Sequence, residues 1–403
     1  MLPGTIRTLM ARALRSTAGN VAVLFAVTLP LVVGGAGLGV ETTYWRYRQT
    51  QLQTAADAAA YAAAVEMRRG SGQTAVLDAA KAAAGDNGFT TASTSAAVAY
   101  PAAKTVEVAL QTQAERFFTA YFSNTPVVVR ARATANYTET GEACILALDP
   151  AAGSALNVSG SAHLQLQGCS IMANSISATA ATTGGSSTTI VPCIVSGGGV
   201  SLGGTVNLTE CAGAIIGAAQ AADPYKTVVP PPPTGNCKNV GNGATTLTAG
   251  YYCGLQLNKS VTFEPGTYYV AGEFRLNGGA EISGDEVTFI LVNGARVDFN
   301  GNAKMNLKAK TTGPYAGILF FGDRASSGGS DNVFNGSADS LLTGALYFPT
   351  QAVEYKGNFS GVGGCTQVVA KTIEWTGNAT ISQNCTSLGL KSVPIPGAVR
   401  LVG

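Results

Sequence analysis

The sequence predicts an N-terminal transmembrane helix running on into an Ala-rich stalk with a small α+β unit, then a predominantly β region. That β region reads as a β-solenoid, with an antiparallel β-sandwich or disordered low-complexity sequence as alternatives. Three observations carry this. Asn20 to Val40 is 21 residues without a charge, Ala fills eight of the eleven positions from Thr54 to Ala64, and a short apolar–polar–Gly motif recurs near every twenty residues after Cys237. Only 12% of residues are charged, against about 25% in ordinary soluble domains, and 50 glycines stand among the 403 residues. Such a composition does not suit a typical cytosolic enzyme. A net charge of +2, with no Lys/Arg run longer than two, leaves no electrostatic footprint for nucleic acid, so DNA and RNA are excluded as partners.

The leader, residues 1–19, carries Arg7, Arg12 and Arg15 and no acid. The uncharged span, residues 20–40, reaches about 30 Å as a helix, the thickness of a hydrocarbon core, whereas the apolar part of a signal peptide needs only about 7–15 residues. Basic residues before the span place the N-terminus in the cytoplasm and the remainder outside the inner membrane. A cleaved signal peptide and a buried core helix are the competing readings. Past the span no Gly or Pro interrupts Glu41 to Arg69, so the helix is expected to continue, with Tyr44, Trp45 and Tyr47 at the level of an interfacial aromatic belt. Its small Ala face permits close packing against a second helix and so offers a surface for self-association.

Gly19-Asn20-Val21-Ala22-Val23 opening the span, a Gly-rich exit, and then "LQTAADAAA" from Leu52 resemble the N-terminal region of TadE/TadG-like assembly proteins of Flp (tight adherence) pili. The resemblance is close over about residues 16–66 and looser over the next seventy. It implies a membrane-anchored envelope component whose partners are the membrane and other pilus-assembly or secretion proteins. Some members carry a von Willebrand A domain with an Asp-x-Ser-x-Ser metal site. No such string occurs here, and no metal or cofactor is expected. A type IV prepilin would carry Glu five residues after the processed Gly, where this chain has Leu24.

Residues 41–143 are read as the stalk with its α+β unit. A second helix is expected near Gln73–Ala84, stopped by Gly85, Asn87 and Gly88, then strands from Thr105 and from Pro126. Between those strands Phe117, Phe118, Tyr121 and Phe122 are read as the core of this unit.

All eight cysteines, Cys144, Cys169, Cys193, Cys211, Cys237, Cys253, Cys365 and Cys385, follow residue 143. An even count without CxxC or a His-rich neighbourhood argues for disulfides in an oxidising compartment over zinc, with buried free thiols as the alternative. Eight cysteines allow 105 full pairings. Neighbours are expected to pair, Cys237–Cys253 and Cys365–Cys385 above all, because each closes a short loop. Residues 144–236 form a low-charge β region ending at Pro230 to Pro233, which is read as an extended spacer or wrapped surface segment and marks a boundary.

Residues 237–403 carry the repeat: "LNGGAEI" at Leu276, "FNGNAKM" at Phe299, "FNGSADS" at Phe334, "YKGNFSG" at Tyr355 and "WTGNATI" at Trp375, with "VSGSAHL" at Val158 fitting too. Gly278, Gly301, Gly336, Gly357 and Gly377 are spaced 23, 35, 21 and 20 residues, near one solenoid rung. They are expected at corners with positive φ, the apolar residues stacking inside and Asn side chains laddering between rungs.

Nothing reads as catalytic. Asp285-Glu286, the only adjacent acidic pair, is expected at a solvated corner. His163, the sole histidine, lies in a nearly uncharged stretch without a base partner. The expected function is therefore non-enzymatic, in Flp/Tad-type pilus assembly, adherence or secretion. A tethered carbohydrate-binding or carbohydrate-cleaving β-solenoid is one alternative and a minor pilin-like filament subunit is another.

Overall fold

The structure, a computed structural model, describes residues 20–241, 243–326, 331–337, 339–359, 365–382 and 388–402. Arg7, Arg12, Arg15, Gly19 and Cys385 lie outside them. The chain divides into two compact units, residues 1–137 with 399–403, and residues 138–398.

In the first unit, helix α1 (Asn20–Arg68) runs unbroken for 49 residues. Apart from Gly37, the side chains described in its N-terminal part are exposed, from Val21 at 72% to Val40 at 62%, so no protein core claims it. It is one helix long and apolar enough to cross a membrane. The second part packs through Leu52, Ala55, Ala56, Ala59, Ala60, Ala63 and Ala64, a stripe at helical spacing with no exposed surface. Helix α2 (Gln73–Asp86) lies against it with Val76, Ala80 and Ala84 buried, and methyl side chains let the two backbones approach closely. Strands β1 (Thr94–Ala102), β2 (Thr105–Ala114) and β3 (Val127–Ala147) complete the unit as an antiparallel sheet. Their Val106, Val108, Leu110, Ala131, Ala133 and Ala135 fill the same core. β1 was not expected from sequence. It is an edge strand, where Pro101 costs no ladder hydrogen bond.

The second unit is built from short strands in parallel ladders. One ladder holds nine strands, from Leu255–Leu257 through Phe274–Leu276, Val297–Phe299, Asn332–Gly336, Val353–Phe359 and Ile373–Trp375 to Leu156–Val158, Ala181–Thr183 and Val200–Ser201. The strand pairs along it are parallel. The ladder shows what the sequence motif means. Leu276 is registered on Phe299, Phe334 on Tyr355, Tyr355 on Trp375 and Trp375 on Val158, while the Phe299 and Phe334 rings meet edge to face at 5.6 Å. All six motif residues are buried, and Tyr355 stacks on Trp375 at 4.0 Å between centroids.

Rung order differs from chain order. The rung at Leu156–Val158 sits on that at Ile373–Trp375, so residues 143–208 extend the C-terminal end of the stack. Residues 209–245 return the chain to the opposite end. The boundary expected at 236 therefore falls inside one unit, because the proline segment lies on the stack: Pro230 to Pro233 line a cleft with Ile290, Val292 and Phe321. In the ladder beneath, Ile290, Phe321, Tyr347, Val369, Leu146, Met172 and Val195 are registered in one row. This outward row is buried against Ala221, Tyr225, Val393 and Ile395, while Phe289, Phe320, Leu346 and Val368 point the other way into the main core.

Candidate functional site

The segment singled out by resemblance, the span and its exit, has a built geometry. Where α1 loses its exposure, at Gly37 and Glu41, the loop between β2 and β3 meets it. A Cβ on Gly37 would lie 2.7 Å from Phe118 Cδ1, so the ring rests on helix backbone that only glycine leaves open. One turn on, the Glu41 carboxylate is fully buried. Its Oε1 accepts from Phe117 N at 2.7 Å and Thr119 Oγ1 at 3.0 Å, and its Oε2 from Thr119 N at 2.9 Å. These backbone donors open the single 3₁₀ turn Thr119–Tyr121, whose N–H groups have no partner within the turn. Trp45 Nε1 donates to Glu115 O at 3.1 Å, Arg116 lies over the Trp45 ring at 5.4 Å, and Tyr44 meets Phe117 edge-on at 5.0 Å. Burial by itself raises the Glu41 pKa. The two backbone donors, the Thr119 hydroxyl and Arg116 outweigh it and hold the carboxyl below the usual carboxylate range.

The aromatic residues of this loop are not the core expected of them. Phe117 and Phe118 are 51% and 52% exposed, Tyr121 91% and Phe122 84%. The core of the unit is filled by Ala and Val, and Glu41 holds the loop outside it. The Ala face is also differently used: α2 and the sheet of the same chain occupy the surface expected to serve self-association.

In the second unit Cys144 is bonded to Cys169, Cys193 to Cys211 and Cys237 to Cys253. Cys365 is disulfide-bonded as well. Of the corner glycines, Gly278 and Gly301 lie in turns following ladder strands, Gly336 ends its strand, Gly357 lies within one and Gly377 follows one. Positive φ is found at Gly357, at 83°, but Gly278, Gly301 and Gly377 are not in the left-handed region, which corrects the expected reason for glycine. The requirement at Gly377 is proximity, since a Cβ there would sit 2.3 Å from Gly357 O. Asn277 does donate to Asn258 on the neighbouring rung, as amide laddering requires.

Asp285 is exposed, but Glu286 corrects the picture of a merely solvated pair. It has a φ of 56° at a bulge, and its carboxylate accepts from Thr311 N at 2.9 Å and Thr311 Oγ1 at 2.8 Å. His163 is exposed at the head of the strand His163–Gln167, its backbone N donating to Asn378 Oδ1 at 2.9 Å. Glu354 and Glu374 are registered on neighbouring strands and line a shallow groove with Asp331 and Asn157, Glu354 pairing with Lys356. Among the described residues no three His, Cys, Asp or Glu side chains are grouped to hold a metal.

A side-chain network that the sequence did not signal fastens the returning segment. Arg324 donates to Val228 O at 2.7 Å, Tyr225 O at 2.6 Å and Tyr347 Oη at 2.6 Å. Tyr347 Oη donates to Asp223 Oδ2 at 2.8 Å, and Tyr225 Oη to Gln367 Oε1 at 2.6 Å. Burial pushes both phenols well above the usual tyrosine range, and the Asp223 carboxylate adds to it. Both therefore stay neutral donors at any physiological pH.

In a comparison with known families, residues 19–66 match the family described as "Putative Flp pilus-assembly TadE/G-like". These are the residues of the span, its exit and the Ala stripe. Neither the curated proteins nor the solved structures yield a match.

Proposed function

We propose that this chain is a non-enzymatic, membrane-anchored component of the bacterial envelope that serves Flp/Tad-type pilus assembly. The observation that carries the reading is the coincidence of the family match at residues 19–66 with an exposed apolar helix that continues without a break into a packed stalk. Residues 20–40 cross the inner membrane with the N-terminus cytoplasmic, and the disulfide-bonded β region lies on the oxidising side. The second unit is a β-solenoid: its parallel ladders and the vertical stacking of motif residues support this over an antiparallel sandwich. Its long Gly/Asn/Thr faces are offered to other assembly or secretion proteins.

Complementation tests this. In a strain lacking the gene, the full chain restores surface pili, whereas a form in which residues 20–40 are replaced by a cleaved signal peptide does not. Pili restored equally by the secreted form would sink the anchored-assembly reading.

A further inference from the structure

We propose that the loop Arg116–Phe122 is a second membrane contact, seated in the interfacial layer of the leaflet from which α1 emerges. The inference rests on the reading of residues 20–40 as a span.

Four exposed aromatic rings on one short loop need a solvent other than water, because burying rings of this size is among the largest apolar gains a surface can make. Their placement along α1 selects that solvent. The loop touches the helix from Gly37 to Trp45, a length of about 12 Å at ~1.5 Å per residue. It thus begins within the last turn of the uncharged span and ends beyond it, where hydrocarbon gives way to headgroups over a layer about 6 Å thick. Val33, Leu38 and Val40, within about one turn of Gly37 on α1, are exposed and apolar.

The chemistry fits the same layer. Tyr121 belongs at an interface where one side is apolar and the other wet, and the Phe rings beside it belong on the apolar side of that layer. Arg46, exposed one turn past Glu41, stands at the level of lipid phosphates. The loop is also held rigidly for the task. Glu41, Trp45 and Gly37 fix it to the helix, so the rings enter at a set depth, and the clasp limits how far α1 can tilt or slide.

Benzoylphenylalanine placed at Phe122, Tyr121, Phe25 or Tyr100 in the full chain, reconstituted in phosphatidylethanolamine/phosphatidylglycerol vesicles, tests this on ultraviolet illumination. Positions 121 and 122 are expected to give lipid adducts as position 25 does, with at least fivefold less at Tyr100. Lipid adducts at 25 without any at 121 and 122 overturn the loop contact while leaving the span intact. Adducts to a second protein chain at 122 overturn it as well, showing that protein covers the rings. No adduct even at 25 removes the span and the loop contact together. As a second measurement, Phe122→Trp adds emission over the parent chain. That increment should be quenched at least twofold more by lipids brominated high on the acyl chain than by those brominated near its end, and equal or absent quenching counts against the proposal.

Discussion

Replacing Gly377 with valine isolates the contact that sets rung spacing. The added Cβ would lie 2.3 Å from Gly357 O, 2.6 Å from Gly357 N and 2.6 Å from Lys356 C, all backbone, so no side chain can turn aside. Ordinary contact begins near 3.4 Å, and a shift of about 1 Å is needed between strands that pair at about 4.8 Å. That shift breaks the bonds Thr376 N to Tyr355 O at 3.0 Å and Gly377 N to Tyr355 O at 3.3 Å. It also parts the Tyr355–Trp375 stack. At about 1–3 kcal/mol for each of the two buried bonds lost and about 0.5–1.5 for the aromatic pair, the cost is roughly 2.5–7.5 kcal/mol. Gly301→Val is the matched control. The three atoms nearest its Cβ, from 3.0 Å, all belong to the Asn335 side chain, which can rotate at about 0.5–1.5 kcal/mol. Urea unfolding of the detergent-solubilised chain, followed by tryptophan emission, should put the Gly377→Val midpoint about 1 M below that of Gly301→Val at a slope of about 3 kcal/mol per M. Equal midpoints would refute the claim that backbone proximity is what Gly377 demands.

Two further outcomes test the two fastenings. Arg324→Ala should speed deuterium uptake at the amides of residues 221–229, since two backbone carbonyls and Tyr347 lose their shared donor; unchanged exchange there would mean the segment is held by apolar contact alone. For the loop on α1, the Glu41 pKa is lower folded than unfolded. Its stabilisation is therefore complete above the unfolded value of about 4.3 and is lost as pH falls through the lower folded value. Exchange at the Phe117 and Thr119 amides should accelerate as pH falls below about 4, beyond the intrinsic pH dependence of exchange, and steady protection down to pH 2.5 would remove Glu41 from the clasp.

The repeats were legible because a parallel ladder stacks like on like. Each inward position sees the same neighbours above and below, so Leu276, Phe299, Phe334, Tyr355, Trp375 and Val158 share a residue class although their intervals vary. Rung order was not legible, since nothing local to Val158 says that its neighbour below is Trp375. Nor was the route of the proline segment, because a polyproline stretch has no hydrogen bonds of its own and reads alike whether free or laid on a surface. The signal was elsewhere. Phe289 to Val292, Ile318 to Phe321 and Ala345 to Phe348 are apolar on both faces of their strands, which requires a cover on the outer side. The motif strands alternate, with polar Arg275, Asp298, Glu354 and Glu374 between buried neighbours, and carry no such demand.

The aromatic loop went wrong for a different reason. "FFTAYF" is an apolar cluster, and in a soluble domain such a cluster has one destination, the core. A chain that also carries a 21-residue uncharged helix has two, core and bilayer, and composition alone does not choose between them. The choice is made by Glu41, read from sequence only as the first charge after the span, and by Gly37, read only as part of a Gly-rich exit. Glu41 binds backbone seventy-six residues away, Gly37 leaves room for the Phe118 ring, and the rings stay exposed beside the helix. A carboxylate placed directly after an uncharged apolar helix needs donors when it is buried. Thr119, the only aliphatic hydroxyl within the aromatic run, was the residue whose chemistry pointed to it.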